Sequence, residues 1–167
     1  MKNKSKLLLI VAAIILAACS NSDRFGGNGR LGGDSANAAG EASDPTSVAY
    51  FQQSIGDRVL FVVDQHTLNP QATALLDQQA VWLMDNVEFT AVIEGHADEQ
   101  GTSAYNLALS GRRANSVIEY LVSRGVASNR LQPLPFGKER PIAICSEENC
   151  YTQNRRAVTV VAAGGLG

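Results

Sequence analysis

The chain has 167 residues, room for one ordinary domain and little else. Hydrophobic residues at 45% and charged residues at 18% describe a globular chain, and with aromatics at 6% the core has to be built from Leu, Val, Ile and Ala. A formal net charge of −2 excludes a broadly basic nucleic-acid binder, because phosphate contacts need a cationic surface.

Met1 to Lys6 carries Lys2, Lys4 and Lys6, Leu7 to Leu16 is an unbroken apolar run, and Ala17, Ala18 and Cys19 follow at once. A positive n-region, a short h-region and a small-residue end make residues 1–18 a secretory signal peptide. The run is shorter than the roughly 20 apolar residues of a spanning helix. Leu16-Ala17-Ala18-Cys19 resembles a bacterial lipobox, so Cys19 is expected to become the first mature residue and to carry acyl chains. Each buried lipid CH₂ then contributes about 0.8 kcal/mol to attachment. Losing the leader leaves 11 basic against 16 acidic residues. The compartment reached this way permits disulfides.

Residues 19–46 are rich in Gly, Ala, Ser, Asn and Asp and have almost no large apolar side chains, so they cannot offset the entropy of ordering. They read as a flexible tether whose reach grows as about 5–6 Å times the square root of its length. A segment that folds on binding is the alternative.

A domain is expected over residues 47–163. Val59 to Val63 is a short β-rich run and reads as a buried strand. Asn69-Pro70 starts a helix, with Asn as the cap and Pro at the first helical position. Ala72, Leu75, Leu76, Ala80 and Leu83 carry that helix to about Asp85-Asn86, and Trp82 and Phe89 are assigned to the core. Val87 to Glu94 alternates as a strand does and closes at Gly95. Leu107, Ala114, Val117, Ile118 and Leu121 form the next helical stripe, with Gly125 placed to end it. Ser110-Gly111 lies inside this stripe. Ser caps helices well and Gly is a poor interior residue, so a break is expected, with a short piece over Ala104–Ala108 and the main helix starting after Ser110. A last strand runs from Ala157 to Val161, and a weaker one over Leu131–Phe136 is interrupted by Pro133 and Pro135. The order β-α-β-α-β-β describes an α+β sandwich, a small mixed sheet with helices on one face.

The densest chemistry lies between Glu94 and Arg113, in EGHADEQGTSAYNLALSGRR. Asp98 falls in the loop after the strand. With a helix starting at Ser110, Arg113 would lie in its first turn and face the same mouth. An acid and a base held apart at one mouth suit a zwitterion: Asp98 accepts from an ammonium and Arg113 grips a carboxylate, helped by the free amides of the helix N-terminus. A continuous helix from Ser103 would instead carry Arg113 about 15 Å down its axis, away from that mouth. Asp98 with Arg113 as a structural ion pair is the plainer reading. His96 reads as a hydrogen-bonded orienting residue, Arg112 as a solvated neighbour, and Arg155-Arg156 either as a glycan contact or as a crosslink from the sheet to the Asp64 loop. Cys145 and Cys150, close in sequence before the last strand, are expected to form an intraloop disulfide contributing about 2–3 kcal/mol at best. Its reduction should loosen the loop and leave ligand binding mostly intact.

Glu94-Gly95-His96-Ala97-Asp98, Asn106, Leu109-Ser110, Arg112-Arg113-Ala114-Asn115, Phe136-Gly137 and Asn154-Arg155-Arg156-Ala157-Val158 together resemble the OmpA-like peptidoglycan-binding domain family over Val59 to Val161. The resemblance implies the OmpA-like fold and, as ligand, the diaminopimelate of uncrosslinked peptidoglycan stems. Asp98 and Arg113 take the family's principal positions, and Asn106, Thr102 and Asp64 match supporting ones. Val63 departs from the pattern, standing where the family often has an aromatic flanking the ligand. Ser20 after the acylated Cys19 implies sorting to the outer membrane, and lipoproteins of this kind imply contacts with the Tol proteins, chiefly TolB. No catalytic residue, metal or cofactor is implied. A metal-dependent hydrolase is the rival class, since Glu94, His96 and Asp98 alternate along an extended segment, but no HExxH or clustered second His accompanies them. A wall-binding lipoprotein without Tol partners is the nearer alternative.

Overall fold

The structure, a computed structural model, describes residues 40–164. The expected leader, the Cys19 acylation site and the tether up to residue 39 lie outside the described residues. Residues 41–46, assigned by composition to the tether, are fastened to the domain. The Ser47 hydroxyl donates to the Glu41 carbonyl at 2.6 Å and the Trp82 indole donates to the Pro45 carbonyl at 2.7 Å.

Ser47 caps a short helix α1 (Val48–Tyr50), which runs into a π-helical turn over Phe51–Gly56. Strand β1 (Arg58–Leu60) leads to α2 (Pro70–Asp85), where the Asn69 side chain accepts the Ala72 N–H at 2.8 Å and Pro opens the first turn. Strand β2 (Phe89–Gly95), helix α3 (Ser103–Ser123), strand β3 (Leu131–Pro135), helix α4 (Glu148–Asn154) and strand β4 (Arg156–Ala163) complete the chain. The sheet order is β1-β4-β2-β3. β4 is antiparallel to both of its neighbours, while β2 and β3 are parallel, so the sheet is mixed. Alternation along β2 turns Phe89, Ala91 and Ile93 inward, and they pack with Leu76, Leu83, Ala114, Val117 and Leu121 from α2 and α3. Trp82 is wedged between Phe51 and Phe89, with ring centroids 4.9 and 5.0 Å apart.

The class is the α+β arrangement expected from the sequence, with differences in detail. α4 is an added short helix before the last strand. β3 forms in spite of its two prolines because it is an edge strand, paired only with β2, and Pro at an edge need not donate to a second neighbour. The run Val59–Val63 does not continue as a buried strand. β1 ends at Leu60, Val62 and Val63 are exposed, and the chain turns away at Asp64, whose φ of 56° is left-handed.

The expected break at Ser110 does not occur. Thr102 is the cap of α3, its hydroxyl accepting the Tyr105 N–H, and the helix is continuous from Ser103. The Ser110 hydroxyl is used inside the helix: it donates to the Leu107 carbonyl at 2.8 Å and accepts the Gly137 N–H at 2.9 Å. Tertiary packing overrides the local preference. Here α3 lies backbone-to-backbone on the end of β2: a Cβ added at Gly95 would sit 1.9 Å from the Ser110 carbonyl oxygen. Gly111, by contrast, faces only the Pro135 side chain, 3.8 Å from where its Cβ would be.

These two glycines give opposite predictions. Gly95→Ala pushes α3 off the sheet and should cost about 3 kcal/mol in a urea titration, at the upper end of overpacking effects. Gly111→Ala makes only an ordinary van der Waals contact with Pro135 in a helix interior and should stabilise by about 0.5–1 kcal/mol in the same titration.

Candidate functional site

The side chains marked by the sequence meet where the loop after β1 and the loop between β2 and α3 approach the body of α3. Arg113 is the meeting point. Its guanidinium has no solvent exposure, and it donates from Nε to the Gln65 carbonyl (2.9 Å), from Nη1 to the His96 carbonyl (2.8 Å) and from Nη2 to the Val62 carbonyl (3.2 Å). It also lies over the Phe61 ring, 5.2 Å from the centroid. Burial pushes its pKa down to about 10; Asp98 and Asp64 oppose that shift and Arg155 adds to it. Arg113 therefore remains a cation at neutral pH.

The continuous helix does not carry Arg113 away from Asp98, contrary to expectation, because of the topology. Arg113 is far from the helix N-terminus, but the chain runs out along the 96–102 loop and returns along α3, so it comes back level with the end of β2. Its Nη1 reaches His96, two residues before Asp98. What is lost is the shared role of the helix N-terminus, whose amides lie about ten residues, or 15 Å, away.

Asp98 does not pair with Arg113. Its Oδ2 accepts from Arg155 Nη1 at 3.0 Å in a buried ion pair, and its Oδ1 accepts the Gln100 N–H at 3.2 Å. Arg155 also donates from Nε to the Phe61 carbonyl, so it crosslinks the sheet to the segment before Asp64, as one of the two readings of the Arg-Arg block expected. Burial works against the Arg155 charge, but its bonds to Glu148 and Asp98 outweigh that and push its pKa up.

The supporting residues have definite places. Asn106 is buried and donates to the carbonyls of Asp98 (3.3 Å) and Gln100 (2.8 Å), which shapes the loop around the acid. Thr102 is spent as the cap of α3. Asp64 accepts a 3.3 Å bond from the Tyr105 hydroxyl, which ties the two loops across the front of the site. Arg112 is exposed, 6.0 Å from the Tyr105 ring centroid. Val63, where an aromatic was expected from the family, is exposed at the rim.

Tyr105, Gln65 and Glu148 were not identified from the sequence. Tyr105 sits in the first turn of α3 and nothing in its spacing marks it. Gln65 contributes only its carbonyl, which has no side-chain signature.

His96 is corrected in its role. Its side chain is buried, and among the described residues neither ring nitrogen has a hydrogen-bond partner; its backbone carbonyl does the orienting. The ring stacks on Phe136 at 5.3 Å. Burial first, then Arg156, Arg140 and Arg58, push its pKa down to about 3. The imidazole is thus neutral, and its 3.5 Å approach to Glu94 is not an ion pair at neutral pH. Among the described residues no three His, Cys, Asp or Glu side chains gather into a metal-holding set, and Asp98 is turned to Arg155. Cys145 and Cys150 are joined, with Cα atoms 5.7 Å apart.

A mixed four-stranded sheet backed by two helices, with a buried arginine binding loop carbonyls beside a buried aspartate, is an arrangement that comparison with known proteins places at once. The model of the OmpA family matches residues 60–156, and the chain belongs to that family. Within it the relatives are specific. A peptidoglycan-associated lipoprotein of Mesorhizobium japonicum is 42% identical over 159 residues, covering 95% of this chain and 92% of the relative. One of Rhizobium meliloti is 42% identical over 161 residues, covering 96% and 88%. The crystal structure of the peptidoglycan-associated lipoprotein from Burkholderia pseudomallei superposes with a TM-score of 0.64 at 36% identity, covering 72% of this chain and 98% of that one. The C-terminal domain of Helicobacter pylori MotB shares the fold at 19% identity, with a TM-score of 0.60.

The buried neutral His96 makes stability depend on pH. Its folded pKa lies below its unfolded value of about 6.5, so the unfolded chain takes up the proton first. The contribution is fully present above pH 6.5 and is lost as pH falls toward 3. Urea midpoints should therefore drop between pH 7.5 and pH 5, before carboxylates titrate, and His96→Phe should flatten that drop.

Proposed function

We propose that the protein is an outer-membrane lipoprotein, anchored through Cys19 and facing the periplasm, that binds peptidoglycan non-covalently and tethers the outer membrane to the wall. The ligand in this reading is the diaminopimelate of uncrosslinked stem peptides. Asp98 receives its amine and Arg113 its carboxylate, while Asn106, Thr102 and Asp64 shape the loops around them. The domain over residues 47–163, with residues 41–46 fastened to it, is the wall-binding part, the chain from Cys19 to residue 40 is the tether, and the reading has no catalytic step or cofactor.

The observation that carries the reading is the unused capacity of the two charged groups. Arg113 spends three N–H groups on carbonyls, and a guanidinium has five. Asp98 accepts from Arg155 and Gln100, and a carboxylate has about four acceptor positions. Donors and acceptors are left together in a place that water barely reaches, which suits a ligand carrying both charges. The names of the relatives support the ligand class, and the lipobox supports the anchor. Contacts with TolB and other Tol proteins, and a part in envelope integrity and cell division, extend the reading by resemblance; a wall-binding lipoprotein without Tol partners is the alternative, and genomic neighbourhood separates the two.

The test is co-sedimentation of the full chain in mild detergent with purified sacculi. Asp98→Asn keeps the shape of the side chain and should weaken binding at least about tenfold, the scale of one charge-assisted hydrogen bond lost. Arg113→Ala leaves three carbonyls unpartnered and should also lower the melting temperature, so it is read beside a melting curve. Equal sedimentation of wild type and a folded Asp98→Asn would sink the charged-pair mechanism.

A further inference from the structure

Asp98 and Glu99 are held from outside their own loop by the segment that the disulfide closes. Arg155, which binds Asp98 Oδ2, places its other terminal nitrogen on Glu148 and on the Thr152 hydroxyl, both in α4. Glu99 accepts from the Ser146 and Tyr151 hydroxyls, each at 3.2 Å. Ser146 lies inside the Cys145–Cys150 ring and Tyr151 immediately follows it. The base of the segment is pinned by buried Asn154, which accepts the N–H groups of Ile142 and Ala143 and donates to the Ala143 carbonyl.

α4 has seven residues, too few to stand as a helix by its own hydrogen bonds. Its capping residue Glu147 makes no side-chain cap bond, and the disulfide ties its first turn back to Cys145. Opening that bond removes the covalent restraint from the turn that presents Glu148 and Tyr151. Glu148 is largely exposed, so its bond to Arg155 depends on where the backbone holds it. The contacts thus run against the expectation that the disulfide loop is independent of the ligand site.

We propose that the Cys145–Cys150 disulfide is a redox-sensitive latch on the ligand loop, with Glu148 and Arg155 as positioning residues that set Asp98 and with Ser146 and Tyr151 setting Glu99. Its consequence for wall binding rests on the function proposed above; its structural half does not. Reduction by a dithiol breaks the S–S bond. Two electrons and two protons pass to the cysteines, giving two thiols, and the reductant closes to a cyclic disulfide.

The experiment follows the full chain in mild detergent by amide hydrogen exchange and by sedimentation with sacculi. The forms compared are oxidised wild type, dithiol-reduced wild type, Cys145→Ser/Cys150→Ser, Glu148→Gln and Glu148→Asp. Reduction and the double serine variant should each speed exchange in residues 97–102 roughly tenfold while β2 stays protected, the pattern of local rather than global opening. Sedimentation should weaken about three- to tenfold in both. Glu148→Gln should show part of each effect and Glu148→Asp should recover most of it. Unchanged exchange in residues 97–102 overturns the latch, as does equal acceleration in β2, which would reduce the bond to a general staple. Faster loop exchange with undiminished sedimentation overturns the coupling to the wall. If oxidised wild type does not sediment, the wall-binding reading fails, and the exchange data still decide the latch.

Discussion

A guanidinium shut away from water organises this end of the domain. Burying a cation is costly unless its donors are used, and Arg113 uses them on the carbonyls of Val62, Gln65 and His96, which belong to two different loops. The loop after β1 has no strand partner beyond Phe61, whose N–H reaches the Arg155 carbonyl, so its fold over α3 is held by this arginine together with the Asp64–Tyr105 and His66–Ser116 bonds. Breaking one member would strand the others: three carbonyls without donors, or a cation without acceptors. The left-handed turn at Asp64 is tolerable in this setting because the bonds on either side of it, at Val62 and Gln65, determine the path. Everything proposed for ligand recognition stands on that fixed geometry.

How far the sequence discloses this depends on whether a residue acts through its side-chain pattern or through its backbone. Helix α2 was legible to the residue, because Asn69 and Pro70 state a start in local chemistry and the apolar stripe states a face. β2 was legible from alternation. The course of α3 was not. Ser110 and Gly111 carry a genuine local signal for a break, and it loses to the packing of Ser110 against Gly95 and to a hydroxyl bonded to the Leu107 and Gly137 backbone. The contacts responsible join positions far apart in the chain, and no window of residues contains them. β1 failed for a related reason: Val62 and Val63 have the composition of a strand, but their place is decided by an arginine about fifty residues away.

The site divides in the same manner. Asp98 and Arg113 stood out as opposite charges in a dense polar stretch, and they do meet the same small region. Their relation was harder to see, since the partner of Asp98 is Arg155, carried at the start of the last strand. Tyr105 closes the front by a single hydroxyl, and such a contact leaves no periodicity to detect.

Two arginines with different duties then stand beside one aspartate. Arg155 neutralises Asp98 and is itself held by Glu148, so without ligand the acid is neither bare nor free to swing. Arg113 gives three of its five N–H groups to neutral carbonyls, which leaves its charge and two donors in place. For a zwitterion this asymmetry is favourable. In the proposed reading an incoming carboxylate would find a cation that has no carboxylate on it, and an incoming ammonium would find an acid already fixed in position. Both charges are buried in the folded domain, so for the proposed ligand much of the cost of dehydrating the protein's groups would be met in folding rather than in binding. A site of the proposed kind would gain its selectivity from placement, and placement is what the surrounding loops, with the disulfide-closed segment among them, supply.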